Sequence, residues 1–166
     1  MQFEIHLGGI MVERATVDDV VEIANIIAEY RGEGKPSNEL AALRIAATQQ
    51  LHTCIEDSSH RRILVARDGD NDVAGYLAIH WIPFPALPGF EGYISDLIVA
   101  AKTRGQGFGQ RLLQAAENEA KAKGACRLML NNRQSAVSYE RQFYSKSGFT
   151  ERVGFSNFVK DLSADA

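Results

Sequence analysis

Only two cysteines occur among the 166 residues. Cys54 and Cys126 lie far apart and match no metal-ligand spacing, which leaves neither a disulfide framework nor a zinc ribbon to staple the fold. Two buried free thiols in a reducing cytosol are the expected state. The four histidines, His6, His52, His60 and His80, are equally scattered, and no metal site is expected from them. Long apolar runs are missing too: none approaches the ~18 residues of a membrane span, and no basic segment leading into an apolar one marks a secretory signal. A cytoplasmic location without membrane attachment is therefore expected. Charge of one sign is also lacking. Eighteen Lys and Arg stand against 21 Asp and Glu, a net charge of −3, which gives a nucleic-acid role no electrostatic support. Proline is sparse, four residues in all, and three of them (Pro83, Pro85, Pro88) crowd into one stretch. Repeats, linkers and low-complexity segments are absent.

What is present suits one domain with a sizeable core. Residues 1–10 are set apart, since Met11 can serve as a second start. They are an alternative start, an appended remnant or a genuine extra strand, and the domain is expected over 11–166. Met11 to Ala15 reads as a strand. Thr16, followed by Asp18 and Asp19, is a helix N-cap, and Val20, Val21, Ile23, Ala24, Ile27 and Ala28 carry an apolar stripe to about Tyr30. Gly32, Gly34 and Pro36 break the chain. A second helix is expected from Asn38 to Glu56, with Leu40, Leu43, Ala47 and Leu51 on one face. Arg62–Arg67 and Val73–Trp81 form a hairpin about Asp68-Gly69-Asp70-Asn71-Asp72. The proline-rich stretch, with Phe84, Leu87 and Phe90, makes an apolar loop.

Tyr93 to Val99 is rich in β-branched and aromatic residues, as a strand should be. From Gly107 the apolar period becomes helical through Leu112, Leu113, Ala116 and Ala120 to about Lys123. Glu117/Lys121 and Glu119/Lys123 are expected as i, i+4 pairs on the solvent side. Cys126–Asn131 reads as a strand and Ser135–Lys146 as a helix closed by Gly148. Phe149–Asp161 reads as two short strands around Gly154. Hairpins come first and crossover helices later, so the fold class is α/β of the α+β kind, with a mixed sheet.

Between the strand ending at Val99 and the helix lie glycines at alternate positions, 105, 107 and 109. A glycine turn entering a helix N-terminus presents unpaired N–H groups and the positive end of the helix dipole, which suits a phosphate. No Lys-Ser or Lys-Thr follows, so this is not a P-loop, and Gly-Gln-Gly-Phe-Gly is one residue too short for a dinucleotide fingerprint.

Arg104-x-x-Gly107-x-Gly109, placed after Asp96-Leu97-Ile98-Val99 and before a helix, resembles the acyl-coenzyme A pyrophosphate loop of the GNAT superfamily of N-acetyltransferases. About 35 residues on, Phe143-Tyr144-Ser145-Lys146-Ser147-Gly148-Phe149 resembles that family's helix-to-strand signature, and the element order matches from Met11 onward. The resemblance implies a mostly antiparallel central sheet flanked by about four helices, and transfer of acetyl from acetyl-CoA to a primary amine of a small molecule or peptide. A homodimer is compatible with it. A non-catalytic coenzyme A sensor, or an acyltransferase with another donor or an O-acceptor, stands as the alternative.

The same resemblance supplies site residues. Backbone of Arg104, Gly105, Gln106, Gly107, Phe108 and Gly109 would hold the pyrophosphate. Backbone of Leu97, Ile98 and Val99, beside a bulge, would pair with the pantetheine arm and polarise the thioester carbonyl. Tyr144 matches the general acid for the leaving thiolate, with Tyr139 a packing neighbour. An alkyl amine of pKa ~10.4 is neutral in only about one molecule in 2,000 at pH 7, so a base is needed; Asp96 is the first candidate and Glu91 the second. Tyr30, Trp81, Phe84, Leu87 and Phe90, with Glu29 and Glu33, are candidates for the acceptor pocket. Two departures stand out. Val137 occupies the place where many members carry Asn, with Asn131 and Asn132 upstream. Ser95-Asp96 stands where polyamine-acetylating members often carry Glu-Asp.

Overall fold

The computed structural model describes residues 5–7 and 10–162. The chain forms two compact units, 1–131 and 132–166.

The first unit is a six-stranded sheet in sequence order: β1 (Ile5–Leu7), β2 (Ile10–Arg14), β3 (Arg61–Arg67), β4 (Val73–Pro83), β5 (Phe90–Val99) and β6 (Ala125–Leu130). Neighbours are antiparallel except β5 and β6, which run parallel. Ile5–Leu7 thus makes an additional edge strand ahead of the expected one; the rest of 1–9 lies outside the described residues. Helices α1 (Val20–Arg31) and α2 (Ser37–Glu56) pack on one face. Ile23, Ala24, Ile26, Ala47 and Leu51 bury there against Ile63, Val65, Tyr76, Ala78 and Ile98. Helix α3 (Phe108–Lys123) takes the other face, burying Leu112, Leu113 and Ala116 completely. Alternation along β4 explains both layers: Tyr76, Ala78 and His80 look to α1 and α2, and Leu77, Ile79 and Trp81 look to α3.

The expected cap is present. The Thr16 side chain accepts from Asp18 N while Asp19 reaches back to Thr16 N at 2.8 Å, a capping box that opens a 3-10 turn ahead of α1. Asp19 is buried, and its second oxygen accepts from Arg67 at 2.6 Å; Arg67 also holds Glu13.

Charge pairing on α3 differs from the expectation. Glu119 does not pair with Lys123 in solvent. Its side chain, 11% exposed, accepts from Arg14 at 2.9 Å and Arg62 at 3.1 Å, because the helix crosses the sheet over the arginines of β2 and β3. Lys123 instead donates to Ser59 O and sits over the Phe90 ring. The strands also run further into the proline-rich stretch than expected, to Pro83 and from Phe90. Cys54 is half-buried but Cys126, on edge strand β6, is exposed, so only one thiol is sheltered.

The second unit holds two one-turn helices, α4 (Val137–Glu140) and α5 (Phe143–Lys146), in place of one helix. Gln142 has φ 54°, a left-handed residue that interrupts the helical ladder. The expected strands over 149–161 are absent among the described residues. Gly154 at φ 91° and a turn bond from Phe155 N to Arg152 O fold the segment back locally, and Arg152 stacks on Phe155 at 3.6 Å. A strand needs a ladder partner to persist, and among the described residues no strand of the sheet pairs with this segment. Among the described residues, no helix is long and apolar enough to cross a membrane.

Arg67→Ala leaves the buried Asp19 carboxylate without its guanidinium. A loss of about 3 kcal/mol is expected in urea unfolding. A loss below about 1 kcal/mol would show that the capping turn alone satisfies Asp19.

Candidate active site

The site begins with an irregularity in β5. Ala78 pairs with Asp96 and Ile79 with Ile94, so Ser95 is an extra residue opposite β4, a β-bulge. In a regular strand Ser95 and Asp96 would face opposite sides. The bulge turns both toward the α1/α2 face, where Ser95 Oγ donates to Asp96 Oδ2 at 2.9 Å. His80 Nε2 lies 3.0 Å from the same Ser95 oxygen. A carboxylate only accepts, and serine has one hydrogen to give, so His80 Nε2–H is the donor to Ser95. Neutral His80 then carries a lone pair on Nδ1. Burial lowers the His80 pKa below the ordinary imidazole value, Arg61 lowers it further, and Asp96 opposes both. Tyr76 hydrogen-bonds Asp96 from below; burial first, and then that carboxylate, push its phenol far above the usual range.

The bulge has a second consequence. Parallel pairing of β5 with β6 stops at Ile94–Leu130. From Ser95 onward β5 has β4 on one side and, among the described residues, no strand on the other. Ala100 N donates to Ala74 O at 2.9 Å. Alternation therefore turns the backbone of Ile98 toward β4 and that of Leu97 and Val99 toward the open edge. The Ile98 side chain is buried in the core. Val99 O accepts from Arg104 Nε at 3.2 Å, which lays the Arg104 side chain back along that edge.

Beyond β5 the chain makes a 3-10 turn, Ala101–Thr103, and then the glycine turn. Gly105 (φ 80°) and Gly107 (φ 93°) both take backbone angles that side-chain-bearing residues seldom adopt. A Cβ on Gly105 would meet nothing within 4 Å and one on Gly107 only Ile10 Cδ1 at 3.9 Å, so angle rather than crowding demands glycine. Gly107 caps α3 without any side-chain bond, which leaves the first N–H groups of the helix facing outward. Phe108 is buried and anchors the helix start, Gly109 sits in its first turn, and Gln106 holds Lys102 O at 3.2 Å. Thr103, buried, reaches the carbonyls of Ala74 at 2.9 Å and Ala100 at 3.1 Å and so ties the turn to β4.

The second unit has its own pocket of about 430 Å³, lined by Ser138, Tyr139, Gln142, Phe143, Tyr144 and Glu151 among others. The Tyr144 ring packs edge-on against Phe143 and Phe149. Tyr139 donates to Glu151 at 3.1 Å, and that carboxylate raises its phenol pKa.

Several expected residues fall elsewhere. Glu91 is buried and ion-paired with Arg127 across β6, which makes it unavailable as a base. Trp81 is buried on the α3 face with its Nε1 unpartnered among the described residues, and Phe90 lies under Lys123. Neither reaches the face that carries Asp96. Tyr30 and Phe84 are exposed. The sequence singles out Ser95 only as a departure from the Glu-Asp pattern, and gives no signal for Tyr76 or Thr103 beside the site. His80 carries no motif signal of its own, although alternation from Tyr76 through Ala78 places it on the Asp96 face.

Comparison with known proteins fits this geometry. The Acetyltransferase (GNAT) family matches residues 20–149. The chain belongs to this family. It is 24% identical over 158 residues to the uncharacterized N-acetyltransferase YhfO of Bacillus subtilis (strain 168), covering 92% of this chain and 98% of that protein. Among solved structures, the ribosomal-protein-alanine N-acetyltransferase of Brucella melitensis biovar Abortus 2308 superposes with a TM-score of 0.71 at 19% identity, over 93% of this chain and 99% of that one. Glucosamine-6-phosphate N-acetyltransferase from Arabidopsis thaliana gives 0.69 at 15%, over 92% and 98%. At these identities the structural likeness establishes the fold: a GNAT-type α/β architecture with a mixed, mostly antiparallel sheet.

Thr103→Val removes the tether between turn and strand. About 1 kcal/mol of stability should be lost, with faster amide exchange from Thr103 to Phe108. Exchange unchanged across that segment would mean that packing of Phe108 alone positions the turn.

Proposed function

We propose that this chain is an acetyl-CoA-dependent N-acetyltransferase that transfers acetyl directly to a primary amine of a small molecule or peptide. One observation carries the reading. A single strand, β5, presents an open backbone edge leading into a left-handed glycine turn, and at the start of that edge, directly after the bulge, a carboxylate, Asp96, held by Ser95. The reading takes 11–166 as one domain acting in the cytoplasm, alone or as a homodimer, with neither nucleic acid nor membrane as partner.

Each part has a task. N–H groups from Gly105 to Gly109 and the α3 N-terminus receive the pyrophosphate, with Arg104 adding charge. The outward backbone of Leu97 and Val99, flanking Ile98, pairs with the pantetheine arm as an added strand would. An N–H there meets the thioester oxygen as it gains charge, a contact worth roughly 3–4 kcal/mol in the transition state. Asp96 belongs to the proton-removing side. Tyr144 gives its phenol proton to the departing thiolate, which must leave protonated or nearly so. Substrate charge fits as well, since a carboxylate beside the bulge favours a cationic acceptor.

Thiol release from acetyl-CoA over a panel of amines tests the reading; acetyl-CoA binding without turnover on any amine would make the chain a sensor. Gly107→Val should weaken acetyl-CoA at least tenfold by calorimetry while unfolding stays cooperative, and unchanged affinity would remove the turn from the cofactor site. Tyr144→Phe keeps the ring and deletes the hydroxyl. Its kcat should fall at least tenfold with acetyl-CoA affinity little changed, the pattern of an interaction made only in the transition state; kcat within twofold of wild type would make Tyr144 structural.

A further inference from the structure

We propose that His80 is the group that takes the proton from the incoming amine, at Nδ1, and that Ser95 couples it to the Asp96 charge. The inference rests on the acetyl-transfer reading and deepens it, by moving the proton acceptor from Asp96 to a residue on the neighbouring strand.

The argument is geometric. His80 Nε2, Ser95 Oγ and Asp96 Oδ2 form a continuous chain with steps of 3.0 and 2.9 Å. With both steps made, the imidazole is fixed in one tautomer, and Nδ1 has no hydrogen-bond partner among the described residues. Asp96 is poorly placed to act alone, since its carboxylate already accepts from Ser95 and Tyr76. Ser95 is exposed and His80 half-buried, so the chain opens to solvent where an acceptor can enter. When Nδ1 takes a proton, the imidazolium gives Nε2–H to Ser95, whose hydroxyl remains directed at Asp96, and the new charge is met without any atom moving far.

The reaction balances. An ammonium acceptor loses one proton to His80 Nδ1. The freed lone pair attacks the thioester carbonyl carbon, and the carbon–sulfur bond breaks as the carbonyl reforms. The thiolate takes the Tyr144 proton, the proton shed by the acylated nitrogen restores the phenol, and the imidazolium releases its own to water.

The groups around His80 set the sign of its pH response. Arg61 from β3 opposes protonation, and Asp96 from β5 favours it. Tyr93 of β5 packs against the ring, and Tyr76 lies four residues back on the same face of β4. Cys54 and Asp57, from the end of α2, share the Arg61 neighbourhood. Removing the Asp96 charge therefore moves the His80 titration, and any rate that depends on it, to lower pH.

The test combines pH–rate profiles for thiol release from acetyl-CoA, on the best amine of the panel, with imidazole nitrogen NMR of the full chain. His80→Gln should lower kcat/KM at pH 7 at least thirtyfold and abolish the inflection that lies below the pKa of the free amine. Asp96→Asn and Ser95→Ala should keep that inflection but shift it to lower pH, and the His80 resonances should titrate with the same shift. An inflection that survives in a folded His80→Gln overturns the assignment, as does one that vanishes in Asp96→Asn while His80 titrates unchanged. An Nδ1–H tautomer in the free protein also overturns it. Absence of thiol release by the wild-type protein with every amine, despite acetyl-CoA binding, would defeat the transfer reading and His80 with it; normal wild-type turnover alongside any of the preceding results defeats only His80.

Discussion

One extra residue in one strand governs the candidate site. The Ser95 bulge breaks the two-residue alternation of β5 and thereby brings consecutive side chains to one face. It also marks where the parallel partner β6 lets go. A regular β5 would have either kept Ser95 with Asp96 on opposite faces or kept its ladder with β6, and in neither case would an open backbone edge lie beside an ordered carboxylate. Bulges raise local twist and are tolerated where the unpaired groups find other partners. Here Ser95 finds His80 and Asp96, and the backbone beyond it faces an unfilled edge.

A bulge and an open edge weaken a sheet, so the surrounding structure has to hold β4 and β5 in register without them. Two charged clusters fix the far side. Glu119 of α3 takes Arg14 and Arg62, locking the helix across β2 and β3. Arg67 takes Glu13 and Asp19, locking the start of α1 to the same strands. Both clusters are largely sheltered from solvent, where a lost partner is costly and an intact pair acts more as a geometric lock than as a net source of stability. Nearer the site, Thr103 performs the equivalent task with neutral hydrogen bonds.

The parts of the fold legible in the sequence are those with a repeating local signal. The apolar stripes of α1 and α3, the Thr16 cap and the hairpin at 68–72 each announce themselves within a few residues, and the glycine turn does so by spacing. The bulge does not. The family resemblance implies a bulge beside Leu97–Val99, but its only local trace is that Ser95 and Asp96 are both polar inside an apolar strand, a pattern that a regular strand would place on two different faces. His80 was hidden for a related reason, because its partners lie on another strand and cross-strand pairing depends on a register that the bulge shifts. Glu119 shows the limit of helical arithmetic: i, i+4 spacing offers it Lys123, but two arginines of the sheet lie closer. The segment 149–161 alternates well enough to read as strands, yet alternation supplies no ladder partner, and local turns prevail.

The burial of His80 illustrates how such a site balances opposing needs. A group that removes a proton from an ammonium must itself be unprotonated near neutrality. Partial burial and Arg61 both push His80 in that direction by disfavouring the imidazolium, and Asp96 opposes them. The same disfavour makes it a weaker base, and each unit of lost basicity is about 1.4 kcal/mol added to the proton transfer. A carboxylate in direct contact would restore basicity but hold the imidazole charged. A carboxylate one hydroxyl away, through Ser95, offsets part of the loss and also fixes the tautomer. Ser95, at the position where polyamine-acetylating members often carry Glu, thus has its own physical consequence: it links the His80 ring to the Asp96 carboxylate through one hydroxyl.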